Sequence, residues 1–202
     1  MDCDGIRDDL HLRKTCNTAA DRKMTVEQQL KSDHEELDRL LDNTFESLAK
    51  GDCTDAYQKL DLFWARLAMH IRAEHSCLFP RIQRLSQSLD TPADHNRSEQ
   101  LAVLLADLRH DHDFFMSELG RAVTALRLTF NFGNETETVV IVHTILEQVA
   151  ERLRTHNLIE EKRVYTLLTD STLPEEEIQA LERSIQKELD NYPQRFTRSE
   201  TN

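Results

Sequence analysis

The chain has 202 residues and a formal net charge of −12, with only four glycines and four prolines against 31% charged residues. That length allows one domain with a well-filled core, and so little turn material suits long helices rather than many short strands. An acidic surface repels phosphate backbones and anionic lipid heads, which argues against nucleic acid and membrane surfaces as partners.

No apolar stretch reaches the roughly 18 residues that a spanning helix needs. The start, MDCDGIRDDLHLRK, is acidic and lacks the apolar run of a secretory signal. Cysteines at 3, 16, 53 and 77 form no CxxC pair and no zinc-ribbon spacing. Reduced thiols and a cytoplasmic protein are therefore expected.

Residues 1–23 are polar and lack helical periodicity, so a flexible lead is expected, and Met24 is an alternative start to Met1. From Thr25 to about Lys50 the residues Leu30, Leu37, Leu40, Leu41, Phe45 and Leu48 recur at helical spacing and mark one buried stripe. Gly51-Asp52 ends that first helix. A second is predicted from about Thr54 to Ser88, and Pro80 inside it predicts a kink or break. Asp90-Thr91-Pro92 reads as a turn and a helix start, leading into a third helix over roughly Ala93 to Thr129. Asn131-Phe132-Gly133-Asn134 punctuates the chain before a fourth helix from about Glu135 to Leu168. Ser171-Thr172-Leu173-Pro174 followed by three glutamates announces a short fifth helix to about Asn191. The predicted fold is all-α: an up-down-up-down four-helix bundle over 24–170, with the short helix and tail at 171–202.

A two-helix unit occurs twice. Asp33-His34 in the first helix matches Asp111-His112 in the third. His70-x-x-x-Glu74 in the second, followed by Phe79, matches His156-x-x-x-Glu160 in the fourth, followed by Tyr165. Residues four apart lie on one helix face, so each histidine reaches a common point with its glutamate. With one more histidine from each of the other helices, the candidate metal ligands are His34, His70, Glu74, His112, His156 and Glu160. Nitrogen and oxygen donors without thiolate suit iron, manganese or zinc better than copper(I) or an iron–sulfur cluster.

Each member alone is weak. A single histidine on an amphipathic helix is ordinarily a plain polar residue, and His-x-x-x-Glu occurs four times here, at His70, His95, His143 and His156. Roughly one such pair arises by chance among nine histidines at ordinary glutamate frequency. Helical phase separates them: at about 100° per residue His143 lies about 140° from His156, and His95 about 100° from His112. His110 and His75 also fall off the ligand lines, so these four belong to the surface or to a layer behind the ligands. Six residues repeated in register carry the reading, because buried histidines and glutamates without a cation cost several kcal/mol in desolvation.

Over roughly residues 25–170 the chain resembles the hemerythrin-like family, the HHE cation-binding domain. The stretch HIRAEHSCLFPRI, His70 to Ile82, is similar to the family's His-x-x-x-Glu-Glu-x-x-Leu-Phe-Pro signature, with His75 in place of the second acid. The later copy, HNLIEEKRVYTLL, keeps Glu160 and Glu161 and lacks the proline. Met116 stands where the oxygen carriers of the family have a fifth histidine. The ligand pattern is closer to the iron-centre repair proteins linked to nitric oxide stress and to the mycobacterial hemerythrin-like proteins linked to peroxide. Residues 1–23 are too short for the cysteine-bearing domain that the repair proteins carry. The resemblance implies two non-haem irons, oxo or hydroxo bridged, with manganese as a possible substitute. It gives one metal to His34 and His70, the other to His112 and His156, and Glu74 and Glu160 to both. Tyr165 and Cys77 lie near the ligand stripes, where core packing is the expected role ahead of redox chemistry.

Three functions follow as expectations. The leading one is a di-iron protein that binds or reacts with dioxygen, peroxide or nitric oxide in stress defence or iron handling. The second is a reversible oxygen-binding, iron-storage or sensing module without turnover. The third is a metal-free helical interaction protein.

Overall fold

A computed structural model describes residues 24–87, 92–169 and 173–193. The predicted lead at 1–23, the turn at Asp90-Thr91 and the capping pair Ser171-Thr172 lie outside the described residues.

Helix α1 spans Val26–Ala49 and starts from a capping box, in which Thr25 Oγ1 accepts from the Gln28 amide and Gln28 reaches back to the Thr25 amide. It ends at Gly51, whose positive φ of 72° lets the chain reverse without a Cβ penalty. Asp52 caps α2, Cys53–Ala73, by accepting from the Asp55 amide. The chain then passes through a wide π turn at Glu74–Leu78 into α3, Phe79–Gln87. Thus Pro80 does not break the second helix, because the wide turn lies just ahead of it. Such a turn does not require proline, since the second copy of the unit forms one at Glu160–Val164 with none.

Helix α4 runs Pro92–Phe132, three residues beyond the predicted end, and stops at Gly133 with φ 75°. Helix α5 covers Glu135–Ile159, and after the second π turn a single turn of helix, α6, covers Thr166–Thr169. Helix α7, Glu175–Leu189, begins after Pro174, which sits at the cap rather than inside the first turn.

Helices α1, α2, α4 and α5 pack in sequence order around one axis, each against its chain neighbour, with α5 closing back on α1. This is the up-down-up-down bundle. Helix α7 lies against α2 and α1 and buries Leu181, Ile185 and Leu189. Arg72 Nε forms an ion pair with Glu188 at 2.8 Å across that contact, and Arg81 pairs with Glu177.

The bundle has two apolar clusters, with a polar layer between them. Leu37, Leu67, Phe115 and Leu153 belong to one cluster. Leu30, Ala73, Leu108 and Val164 belong to the other. In each of the four helices, a histidine stands in the short gap between these sets. That common break sets the depth of the site.

Candidate metal centre

All six predicted ligands meet in this layer, and none is more than 3% exposed. Helix α1 supplies His34, α2 and its π turn supply His70 and Glu74, α4 supplies His112, and α5 with its π turn supplies His156 and Glu160. The imidazoles form two pairs. His34 Nε2 and His70 Nε2 face each other at 3.1 Å, and His112 Nε2 and His156 Nε2 at 2.9 Å.

The carboxylates span both pairs. Glu74 turns Oε1 toward His70 Nε2 (3.5 Å) and Oε2 toward His112 Nε2 (3.3 Å). Glu160 turns Oε1 toward His156 Nε2 (3.1 Å) and Oε2 toward His34 Nε2 (3.5 Å). Donor atoms of Glu74, His112, His156 and Glu160 lie within 4.8 Å of one another, as do those of His34, His70 and Glu160.

Each imidazole is held from behind through Nδ1. His70 Nδ1 donates to Asp33 Oδ2 (2.9 Å), His156 Nδ1 to Asp111 Oδ2 (3.2 Å), and His34 Nδ1 to Glu161 Oε1 (3.0 Å). A carboxylate only accepts, so these three rings hold a proton on Nδ1, and Nε2 is the nitrogen that faces inward. His112 Nδ1 meets His75 Nε2 at 2.8 Å. Arginines brace both aspartates: Arg66 Nε donates to Asp33 Oδ1 at 2.8 Å, and Arg152 Nε to Asp111 Oδ1 at 2.7 Å. Arg66 also donates to the Tyr192 hydroxyl, which ties the segment after α7 to the back of the site.

The electrostatics match a cation site. Burial opposes charge on His70, but the Glu74 and Asp33 carboxylates outweigh it and hold the imidazole well above its ordinary 6.5. Burial pushes the Glu74 carboxyl up, yet His70 and His112 more than reverse this and hold it well below 4.5. Burial and the neighbouring Glu74 raise the Glu160 carboxyl; His156 and His34 bring it down overall. Glu74 Oε2 and Glu160 Oε1 are buried with no hydrogen-bond partner. The facing imidazole nitrogens at about 3 Å and the two bare carboxylate oxygens form one compact set of metal-donor atoms. Among the described residues no arginine or lysine occupies the centre, and the donor set fits metal ions.

The π turns shape this arrangement. An α-helix would place the fifth residue after each glutamate about 140° away. The i→i+5 turn brings it round to the same side, where Tyr165 N–H bonds the Glu160 carbonyl at 2.9 Å and Phe79 N–H bonds that of Glu74. Tyr165 is fully buried. Its hydroxyl donates to Glu74 Oε1 at 2.8 Å and stands 3.2 Å from both Glu160 Oε2 and His34 Nε2. Burial and the two carboxylates push this phenol well above 10. The tyrosine is a core residue, as expected, and its oxygen is also part of the site. Half-buried Cys77 packs against the lower apolar cluster, the one that holds Leu30, Ala73, Leu108 and Val164, the cluster of Leu37 and Phe115 being the upper one.

His75 lies behind His112. His110 is exposed, and His143 pairs loosely with Glu147 at 3.5 Å on the surface. Sequence reasoning gave no role to Asp33, Asp111, Glu161, Arg66 or Arg152. One signal was present, since Arg66-x-x-x-His70 and Arg152-x-x-x-His156 extend the repeat by one turn. The aspartates were visible only as neighbours of His34 and His112, and each serves the histidine of the next helix instead.

No curated protein and no solved structure matches the chain. The family model of the hemerythrin HHE cation binding domain matches residues 25–168, which run from the cap of α1 to the last described turn before α7. By that match, covering most of its length, the chain belongs to the hemerythrin HHE cation-binding domain family.

Proposed function

We propose that this protein is a non-haem di-iron protein that binds and reacts with a small oxidant (dioxygen, peroxide or nitric oxide) in oxidative or nitrosative stress defence. The observation that carries the reading is the convergence of four imidazoles and two carboxylates in one buried layer, with each carboxylate spanning both imidazole pairs. His34 and His70 would hold one ion, His112 and His156 the other, and Glu74 and Glu160 would bridge them. A pair of irons held there supplies redox electrons and open positions for an outside ligand.

The residues account for the choice of ligand. Donors buried to 3% exposure or less admit a diatomic or a peroxide far more readily than a large substrate. Met116, one turn beyond His112, packs against the upper apolar cluster and offers no imidazole. Each ion would thus receive two nitrogens and two oxygens from protein, which leaves room to react. The Nδ1 bonds fix all four rings and raise their basicity, and Tyr165 gives the carboxylates a proton donor that stays protonated. Among the described residues no helix is long and apolar enough to cross a membrane. The thiols of Cys53 and Cys77 are free, which favours a reducing cytoplasm.

Rapid mixing of the anaerobic ferrous protein with dioxygen, hydrogen peroxide and nitric oxide tests this. We expect a fast absorption change with at least one of them and consumption of the added oxidant. No response to any of the three would remove the proposal, and an oxygenated spectrum that survives many cycles would replace it with reversible binding.

A further inference from the structure

The two halves of the site repeat each other almost residue for residue. Asp33, Arg66, His70 and Glu74 correspond to Asp111, Arg152, His156 and Glu160. The correspondence fails at two places, which both follow the glutamate of the repeat. Glu161 stands opposite His75, and Tyr165 opposite Phe79.

These differences fall on opposite sides of the layer. Behind His34 the Nδ1 proton goes to a carboxylate, Glu161, at 3.0 Å. Behind His112, Nδ1 faces an imidazole nitrogen, His75 Nε2, at 2.8 Å. A carboxylate draws the proton outward, makes Nε2 a stronger donor and adds a negative charge close to the ion. A neutral imidazole adds no charge and draws the proton less. The aromatic neighbours differ too, although the Tyr165 hydroxyl also donates to Glu74 Oε1, the oxygen that faces His70, so the difference in pull rests on Glu161 and His75. Tyr165 puts a hydroxyl oxygen 3.2 Å from His34 Nε2, whereas Phe79 stacks on His112 at 6.2 Å with no polar atom. A guanidinium, Arg109, lies 5.2 Å over that Phe79 ring, adding positive charge on the same side. The ammonium of Lys31, which acts on Glu161, is itself paired with Glu27 at 2.6 Å.

We propose that the two positions bind metal unequally: the His34–His70 position fills first and tightly, the His112–His156 position second and weakly, and Glu161 and His75 set the difference. The inference rests on the two-ion reading above. Glu161 and His75 act here as positioning residues, each through the imidazole that it holds.

The test is an anaerobic titration of the metal-stripped full chain with Co2+, read by calorimetry and by the d–d absorption of each step, with circular dichroism to confirm the fold. Both residues are half-buried at the edge of the layer, so the fold should survive their replacement. Wild-type protein should take up two ions in two resolved steps. Glu161→Gln should weaken the first step by about 10–100-fold. His75→Gln should leave the first step in place and weaken the second, and His75→Glu should tighten the second about tenfold or more. The proposal is overturned if two ions bind in one unresolved step, if Glu161→Gln spares the first step, or if His75→Gln weakens it. Fewer than two ions in the wild type would defeat the two-ion reading and this inference with it. Two ions with misassigned steps would defeat this inference alone.

Discussion

Asp33 shows how much of the site depends on residues that never reach its centre. Its side chain is 2% exposed and lies between His70 Nδ1 and the Arg66 guanidinium. Burial raises its carboxyl, but His70 and Arg66 more than offset this and hold it below 3.8. A carboxyl depressed in the folded state contributes stability that is present above its unfolded value and lost as pH falls through the folded one. Asp33→Asn should therefore cost about 1–3 kcal/mol near neutral pH, since it leaves a partly buried guanidinium without its anion. The gap to wild type should close as pH drops below 3.8. Thermal unfolding of both proteins between pH 3 and 7 gives the answer, and a gap that stays constant with pH would refute this role for Asp33. The sequence displayed Asp33 only as half of a repeated Asp-His pair. Its actual partner, His70, is 37 residues away on another helix, and a single sequence contains no term that links the two.

At the scale of elements, helix identity and order were legible because the apolar stripes keep helical spacing and the breaks fall at Gly51 and Gly133. The six ligand candidates were legible for a related reason: His-x-x-x-Glu is a local pattern, and helical phase discriminates among its copies. What periodicity hid was the pair of π turns, since a count at 100° per residue presumes that no turn is wide. Those turns put the hydroxyl of Tyr165 against Glu74 and Phe79 over His112. Pro80 suggested a kink, and the second π turn at Glu160–Val164 forms without proline, so such a turn does not require one. Pro80→Ala should accordingly keep the full metal content and change stability by no more than about 1 kcal/mol. Loss of metal on that substitution, measured by elemental analysis beside a denaturant titration, would return the turn to proline.

Over the whole molecule, two apolar clusters clamp one polar layer, and the clamp works only if charge inside it is compensated. A bare set of six buried donors is a liability to the fold. Metal binding is therefore coupled to stability by mass action. At free metal a thousandfold above Kd, a single bound ion adds about 4 kcal/mol. For a domain of this size that corresponds to roughly 8–16 °C in Tm. Chelation should lower Tm by that order, and readdition of ferrous iron should restore it; an unchanged Tm on both steps would show that the layer is stable without metal. Helix α7 belongs to this picture although it lies beyond the matched residues 25–168. It buries Ile185 completely in the lower cluster, and just after it Tyr192 meets Arg66 behind His70.

The site works only if cations occupy the layer, so metal analysis of the gently purified protein is the most direct measurement. Mass spectrometry of the ashed protein should find about two iron ions per chain in wild type and close to none in the Glu74→Ala, Glu160→Ala double variant. Wild-type protein with less than about half a metal ion of any kind per chain, and no uptake on incubation with ferrous iron, would contradict it.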